Sequence, residues 1–185
     1  MRNKIIILAT ALAQKYGLNA FSYNDLSQDL GITKASIHHY FPSKRDLTYE
    51  ILCKYTSDFL NELHKIHNKF AQDKLRAYIN LFEGLARNVD KICLCMMYAS
   101  DWLSLEARTQ DLIRQFYLSN EVWLQNIFTH DTQEASGLKG QLIFSQLQGL
   151  LVRNRLMINP QSFNTFTEMI IEHNFSTIKL INIHE

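Results

Sequence analysis

The sequence predicts an all-α protein, and three observations support that fold class. The 185 residues include only two prolines and six glycines, which leaves few of the turns that a chain of many short strands needs. Hydrophobic residues make up 46% of the chain, enough for a sizeable buried core. Apolar residues recur at helical spacing along most of the chain, and helix start and stop signals separate these segments.

The charge distribution excludes a general polycation. The formal net charge is +1, so the chain has no bulk positive charge with which to bind nucleic acid indiscriminately. Up to Glu50, six basic residues outnumber four acidic ones, which leaves the remainder of the chain at −1. This asymmetry is consistent with nucleic-acid binding by the N-terminal part but does not establish it.

The N-terminal stretch predicts an amphipathic helix that ends before Gly17. Its apolar stripe consists of Ile6, Ala9, Leu12, Ala13 and Tyr16. A basic start followed by an apolar run also imitates a secretory signal. We expect the stretch to be retained, because the helices that follow need its stripe as a packing partner.

The sequence points to a cytoplasmic protein. No other stretch is long and apolar enough to span a membrane. The three cysteines, Cys53, Cys93 and Cys95, do not form the framework of a disulfide-rich secreted domain.

The densest helix signals lie between Phe21 and Leu47. Ser22 followed by Asp25 predicts a capped helix start, and Gly31 stands where a helix ends in the left-handed conformation. Thr33 can then cap a second short helix anchored by Ile37 and Phe41. Such a pair is typical of a helix-turn-helix, whose second helix enters the major groove of DNA, although ordinary helical hairpins share the pattern.

The segment GITKASIHHYFPSKRDL resembles the signature of the TetR family of bacterial transcriptional repressors. In that family a glycine turn leads to a short recognition helix, which ends in an aromatic pair before Pro, Ser and Lys open a long fourth helix. Here those positions are Tyr40, Phe41, Pro42, Ser43 and Lys44. The resemblance implies an N-terminal three-helix DNA-binding head over 1–46 and a larger helical body for effector binding and dimerisation over 47–185.

The resemblance also implies which side chains meet a double-stranded DNA operator. They are Ser22, Tyr23, Thr33, Lys34, Ser36, His38, His39, Tyr40 and Lys44. Among them Lys44, with Ser22 or Tyr23, is expected to hold the phosphate backbone. Thr33 stands where close relatives often carry a basic residue.

The rest of the chain predicts six further helices. They run from about Lys44 to Lys69, Asp73 to Asn88, Leu94 to Leu105, Glu106 to Thr129, Lys139 to Met157 and Pro160 to Ile181, with a break from Thr132 to Gly140. The last two carry more apolar residues than one side of a core requires, so we expect a homodimer interface formed by Leu147, Leu150, Leu151, Phe166 and Ile170. Burial of these residues within a monomer is the alternative.

No catalytic constellation stands out. The chain has neither a glycine-rich phosphate loop nor a recognisable Ser, His and acid arrangement, so we expect no enzyme, no cofactor and no metal. His64 and His67 have a spacing that can ligate a metal on a helix, but a solvated face explains them as well. On a helix, Cys93 and Cys95 would point about 200° apart and could not clasp one metal.

The patch CLCMMYASDWLSL, followed by LIRQFYLSNEVWL, resembles helices six and seven of a TetR branch. That branch includes repressors that respond to electrophiles or oxidants through a cysteine near the start of helix six. Cys93 stands at that position, and a small buried hydrophobe is the alternative. The expected effector pocket is lined by Tyr78, Phe82, Met96, Met97, Trp102, Phe116 and Trp123, each of which also fits a plain core.

The sequence therefore favours a homodimeric TetR-type repressor that binds a palindromic operator and is released by a small-molecule or thiol-reactive effector. Two alternatives stay open. A helical small-molecule-binding protein without operator activity would lack salt-dependent DNA affinity. A structural interaction module would bind neither DNA nor ligand.

Overall fold

The computed structural model describes residues 1–67, 69–88 and 91–175. Within these residues the chain forms nine α-helices and one 3-10 turn and contains no strand, which confirms the all-α prediction. The helices are α1 Arg2–Tyr16, α2 Tyr23–Leu30, α3 Lys34–Tyr40, α4 Lys44–His64, α5 Ala71–Ala86, α6 Leu94–Ala99, α7 Ala107–Gln125, α8 Gln133–Met157 and α9 Pro160–Phe175. The 3-10 turn, Trp102–Ser104, lies between α6 and α7.

Local capping fixes the ends of the short helices in the head, which comprises α1, α2 and α3. The Ser22 hydroxyl accepts the backbone N–H groups of Asn24 and Asp25, and the Asp25 carboxylate accepts the Ser22 N–H at 2.7 Å. Helix α2 then ends at Gly31, whose φ of 62° is left-handed. The Thr33 hydroxyl accepts the Ser36 N–H and so begins α3. These are the ends that the sequence predicts.

A small core orients α3 on the head. Ile37 and Phe41 are buried in the same hydrophobic cluster as Ile5 of α1 and Leu47 of α4. The predicted stripe of α1 holds except at Tyr16, which is exposed because it is the last residue of the helix. Since one face of α3 is buried, its remaining faces are open to a ligand.

Two predicted boundaries in the body, which comprises α4 to α9, are wrong, and a third is not tested. Helix α4 ends at His64, so His67 lies beyond the helix and the two histidines do not share a helical face. The helix that starts at Leu94 stops at Ala99 and gives way to the 3-10 turn rather than continuing to Leu105. Residue Ile181, the predicted end of the last helix, lies outside the described residues.

The predicted break from Thr132 to Gly140 is also wrong, because α8 already begins at Gln133. The Thr132 hydroxyl accepts the Ala135 N–H at 3.2 Å and caps it. Gly140 suggested a loop, but it lies where α8 crosses α7: a Cβ there would come within 2.7 Å of the Glu121 carbonyl oxygen. Glycine is thus required by the close approach of two helices and not by a turn.

Aromatic side chains fill the centre of the body between α4, α5, α7 and α8. The Phe59 ring lies 5.2 Å from that of Phe116 and 5.7 Å from that of Phe82. The Tyr78 hydroxyl donates to the Asn120 side-chain oxygen at 2.7 Å, which satisfies a polar group in this core. In the part of the chain that the structure describes, no helix combines the length and apolarity needed to cross a membrane.

Candidate DNA-binding surface and effector region

Helix α3 presents a polar surface on the side away from its anchors. The exposed side chains on and next to it are Thr33, Lys34, His38, His39 and Tyr40. Ser36 is half-buried, and its hydroxyl shares a hydrogen bond of 2.9 Å with that of Thr33. The surface therefore combines a cation, two imidazoles and a phenol, groups that can donate hydrogen bonds to phosphates or base edges.

His38 is held more firmly than its exposure suggests. Its Nδ1 lies 3.3 Å from the Pro42 carbonyl oxygen, and its ring packs edge-on against that of Tyr23 with centroids 4.7 Å apart. These two contacts restrict the imidazole, so any partner of Nε2 would meet an oriented donor or acceptor.

Tyr23 and Lys44 are tied into the head. The Tyr23 side chain is buried, its hydroxyl donates to the Phe41 carbonyl at 2.9 Å, and burial with the nearby Asp46 raises its pKa to about 12. Lys44 donates to the Phe21 carbonyl at 2.6 Å, and burial lowers its pKa. Tyr23 therefore has a structural role in joining α2 to the end of α3, whereas Lys44 keeps two further N–H groups.

Ion pairs connect the start of α4 to the start of α7. Arg108 donates to Asp46 at 2.7 Å, and Arg45 lies 3.6 Å from Glu106. Hydrogen bonds from Arg108 and Ser43 lower the pKa of Asp46. All four side chains keep contact with solvent, so each pair contributes little stability and is screened by salt.

The predicted effector residues divide into two groups. Tyr78, Phe82 and Phe116 are buried in the aromatic core, and Trp123 stacks on Tyr78 at 5.3 Å. Met96, Met97 and Trp102 are half-buried near α6, where the Arg114 guanidinium lies 5.3 Å from the Trp102 ring centre. The first group therefore belongs to the core. Among the other predicted effector residues, Cys93, Met96 and Met97 lie at α6, and Trp102 lies in the 3-10 turn that follows.

An open cleft of about 740 Å³ lies between α4 and α5. It is lined by Tyr55, Asp58, Phe59, Asn61, Glu62, Lys65, Leu81 and Leu85. None of these residues is among those that the sequence predicts for the effector. Tyr55 and Phe59 recur four residues apart on α4, but that spacing marks any buried stripe equally, so the sequence carries no specific signal for the cleft.

Cys93 caps the start of α6 and is almost fully buried. Its backbone is extended, with φ −61° and ψ 117°, and Gln148 donates to its Sγ at 3.3 Å. Burial raises the pKa of the Cys93 thiol, but hydrogen bonds from Cys95, the Met96 N–H and Gln148, with the nearby Tyr55 hydroxyl, outweigh it and lower the pKa to about 6. The site therefore favours a thiolate.

The prediction that Cys93 and Cys95 point apart holds only if both lie on a helix, and Cys93 precedes α6. The Cys95 thiol interacts with Cys93 and has a raised pKa, caused by burial and by that neighbour. Beside the pair, Gln148 Oε1 is a buried polar atom without a hydrogen-bond partner among the described residues, and the buried Tyr55 hydroxyl approaches Cys93. Tyr55 also lines the open cleft, but its hydroxyl is buried and Cys93 is not among the residues that line the cleft. In the same described ranges, no three His, Cys, Asp or Glu side chains are grouped to hold a metal ion.

The predicted dimer residues need one correction. Leu147 and Leu151 are buried inside the body, 0% and 3% exposed, so a second copy cannot reach them. Leu150, Phe166 and Ile170 instead line a groove of about 480 Å³ between α8 and α9, and Leu142 and Met169 add exposed apolar surface to it. The packing of α8 on α7 decides which of the predicted residues lie in the core and which line the groove.

This arrangement of a capped helix-turn-helix head on an all-helical body defines a class of bacterial DNA-binding regulators. The sequence profile for bacterial regulatory proteins of the tetR family matches residues 5–51. A TetR transcriptional regulator from Legionella pneumophila is 30% identical, with 92% of this chain and 95% of that chain covered and a TM-score of 0.85. The chain belongs to the TetR family.

Other solved structures agree on the fold. A TetR-family transcriptional regulator from Agrobacterium tumefaciens is 25% identical, covers 93% of this chain and 96% of its own, and has a TM-score of 0.85. The reduced form of NemR from E. coli is 14% identical, covers 91% and 94%, and has a TM-score of 0.74. A comparison with curated proteins gives no match.

Proposed function

We propose that the protein is a cytoplasmic transcriptional repressor, which binds a palindromic operator as a homodimer and is released by a small-molecule or thiol-reactive effector. The observation that carries this proposal is the exposed polar surface of α3, held on a head whose helix ends are fixed by side-chain caps. A lysine, two histidines and a tyrosine on this exposed surface can donate hydrogen bonds to phosphates or base edges.

In this proposal Lys34, His38, His39 and Tyr40 contact the groove or its flanking phosphates, with Thr33 and Ser36 beside them. Ser22 and Lys44 lie at the ends of α2 and α4, where backbone N–H groups and a cation favour phosphate oxygens. Tyr23 supports this surface through His38 and Phe41.

Two considerations support the homodimer: the symmetry of a palindromic operator and the apolar groove between α8 and α9. Two recognition helices can occupy successive major grooves of a palindrome when they lie roughly 34–36 Å apart. A second copy is the expected occupant of the groove, because the exposed apolar side chains of Leu142 and Met169 continue it across both helices.

The effector part of the proposal rests on Cys93. The Cys93 thiol accepts a hydrogen bond from Gln148, and its lowered pKa favours the thiolate, the form that reacts with electrophiles. Because Cys93 is buried, a reagent reaches it only when the surrounding segment opens locally. An adduct would add bulk to a close-packed region, which can respond only by moving helices.

The test of DNA binding begins with a duplex selected from a random-sequence pool by the wild-type protein. We expect salt-dependent affinity for the selected duplex, and Lys34→Ala should reduce the slope of log affinity against log salt by about one. Lys54→Ala, which removes an exposed lysine of the body, is the matched control and should leave the slope unchanged. Failure to select any sequence would favour the small-molecule-binding alternative.

A further inference from the structure

The last turn of α1 is attached to the body at two points. The Gln14 side chain, 7% exposed, donates through Nε2 to the Ile92 carbonyl at 3.1 Å. Arg155, near the end of α8, donates to the Gln14 carbonyl at 3.3 Å and to the Lys15 carbonyl. The head is thus connected to the body through the end of α1 as well as through α4.

Both attachment points are also connected to Cys93. Ile92 immediately precedes Cys93, and Gln148 donates to the Cys93 thiol. Gln148 and Arg155 are seven residues apart on α8, which is about two helical turns, so both side chains leave the same face. Three polar contacts therefore connect these elements. Gln14 of α1 contacts Ile92, Gln148 of α8 contacts the adjoining Cys93, and Arg155 of α8 contacts the end of α1.

The buried Gln14 bond resists screening better than the exposed ion pairs that join α1 to α4 and α4 to α7. The Asp46–Arg108 and Arg45–Glu106 pairs are exposed to solvent and salt. The Gln14 bond is buried, and breaking it strands both an amide and a carbonyl away from water. Displacement of the segment at Ile92 therefore breaks a contact that holds the end of α1.

We propose that Gln14 and Arg155 are positioning residues that couple the segment around Cys93 to the orientation of the DNA-binding head. A ligand or adduct that displaces Ile92 breaks the Gln14 bond and frees the last turn of α1, so the two heads of a dimer lose the spacing set by the body. This inference rests on the proposed function, because its output is operator binding.

Reciprocity provides a test that needs no effector. If Cys93 and the head are coupled, operator binding must change the opening of the Cys93 segment as much as that opening changes operator affinity. Because Cys93 is 1% exposed, its alkylation requires local opening, and the rate of reaction with iodoacetamide reports it. The rate is measured with and without the selected duplex, and mass spectrometry assigns the modified cysteine.

The key variant is Gln14→Leu, which keeps the side-chain size and removes the amide. Arg155→Met is the second variant, and Gln115→Leu on the exposed surface of α7 is the matched control. We expect the duplex to slow Cys93 alkylation by about fivefold or more in the wild type and in the control. In Gln14→Leu and Arg155→Met the ratio should fall below about twofold, although both still bind the duplex.

Two results would overturn the inference. One is a protection ratio in both Gln14→Leu and Arg155→Met equal to that of the wild type. The other is a wild-type protein that binds the duplex without any change in Cys93 reactivity. A wild-type protein that binds no duplex would instead refute the proposed function, and this inference with it. Should Gln14→Leu fail to fold, Arg155→Met alone decides the question, since Arg155 is half-buried at the end of a helix.

Discussion

Gly140 provides the sharpest test of how α7 and α8 pack. A methyl group at this position would meet the Glu121 carbonyl oxygen at 2.7 Å, the Gln125 nitrogen at 3.2 Å and the Leu124 Cβ at 3.4 Å. An ordinary carbon to oxygen contact is about 3.3 Å or longer, so in Gly140→Ala the two helices must part by roughly half an ångström. Since the obstructing atoms belong to backbone, no side-chain rotation relieves the overlap.

The expected cost comes from comparing two glycines. Overpacking of this kind costs about 1–3 kcal/mol, whereas alanine gains about 1 kcal/mol over glycine inside a helix. Gly84→Ala, where nothing lies within 4 Å of the new methyl group, receives only the gain. We therefore expect Gly140→Ala to be less stable than Gly84→Ala by about 1–3 kcal/mol.

Urea unfolding of the two variants measures this difference, at one protein concentration because the stability of the proposed homodimer would depend on concentration. With a slope of about 2 kcal/mol per molar urea, the midpoints should differ by about 0.5–1.5 M. If Gly140→Ala proves at least as stable as Gly84→Ala, then α7 and α8 do not cross as closely as described and the reasoning fails.

Four further outcomes are expected. Leu150→Asp should bury an unpaired charge at each of two symmetry-related sites and give a monomer in sedimentation, while Leu103→Asp, at a 96% exposed position, should stay dimeric; an intact Leu150→Asp dimer would place the interface elsewhere. The rate of Cys93 alkylation should increase as pH rises through about 6 and level off above it, because only the thiolate reacts. A midpoint at about 8.5 would show that the Cys93 thiol has the pKa of a free cysteine. Alkylation should also weaken operator binding by the wild type and Cys95→Ser but not by Cys93→Ser, and equal responses from all three would remove Cys93 as the sensor. Lys44→Ala should weaken binding to all duplexes and reduce the salt slope by about one, whereas weakened binding with an unchanged slope would limit Lys44 to its bond with Phe21.

The sequence predicts the head well because its signals are local. Ser22 with Asp25, and Ser43 with Asp46, form capping boxes within four residues, and Gly31 ends α2 through its own backbone conformation. Each signal needs only its chain neighbours to act, so pattern and structure agree.

The errors fall where a distant contact decides the outcome. Gly140 looks like a turn residue until α7 is brought against it. The Tyr23 hydroxyl finds its partner at Phe41, 18 residues away, so an aromatic that suits a DNA contact is instead buried. For Leu147 and Leu150 the helical pattern shows an apolar surface on α8, but only the position of α7 divides that surface into core and groove.

Helix α4 runs without interruption from the cap at Ser43 to His64, and this continuity constrains protein engineering. No flexible joint separates the segment that follows the recognition helix from the segment that enters the body. Each residue inserted into α4 would turn the head by about 100° and shift it by about 1.5 Å relative to the body. A chimera that grafts this head onto another regulator must therefore keep the helical phase of α4 at the junction. Otherwise the recognition helix will point in a different direction relative to the body.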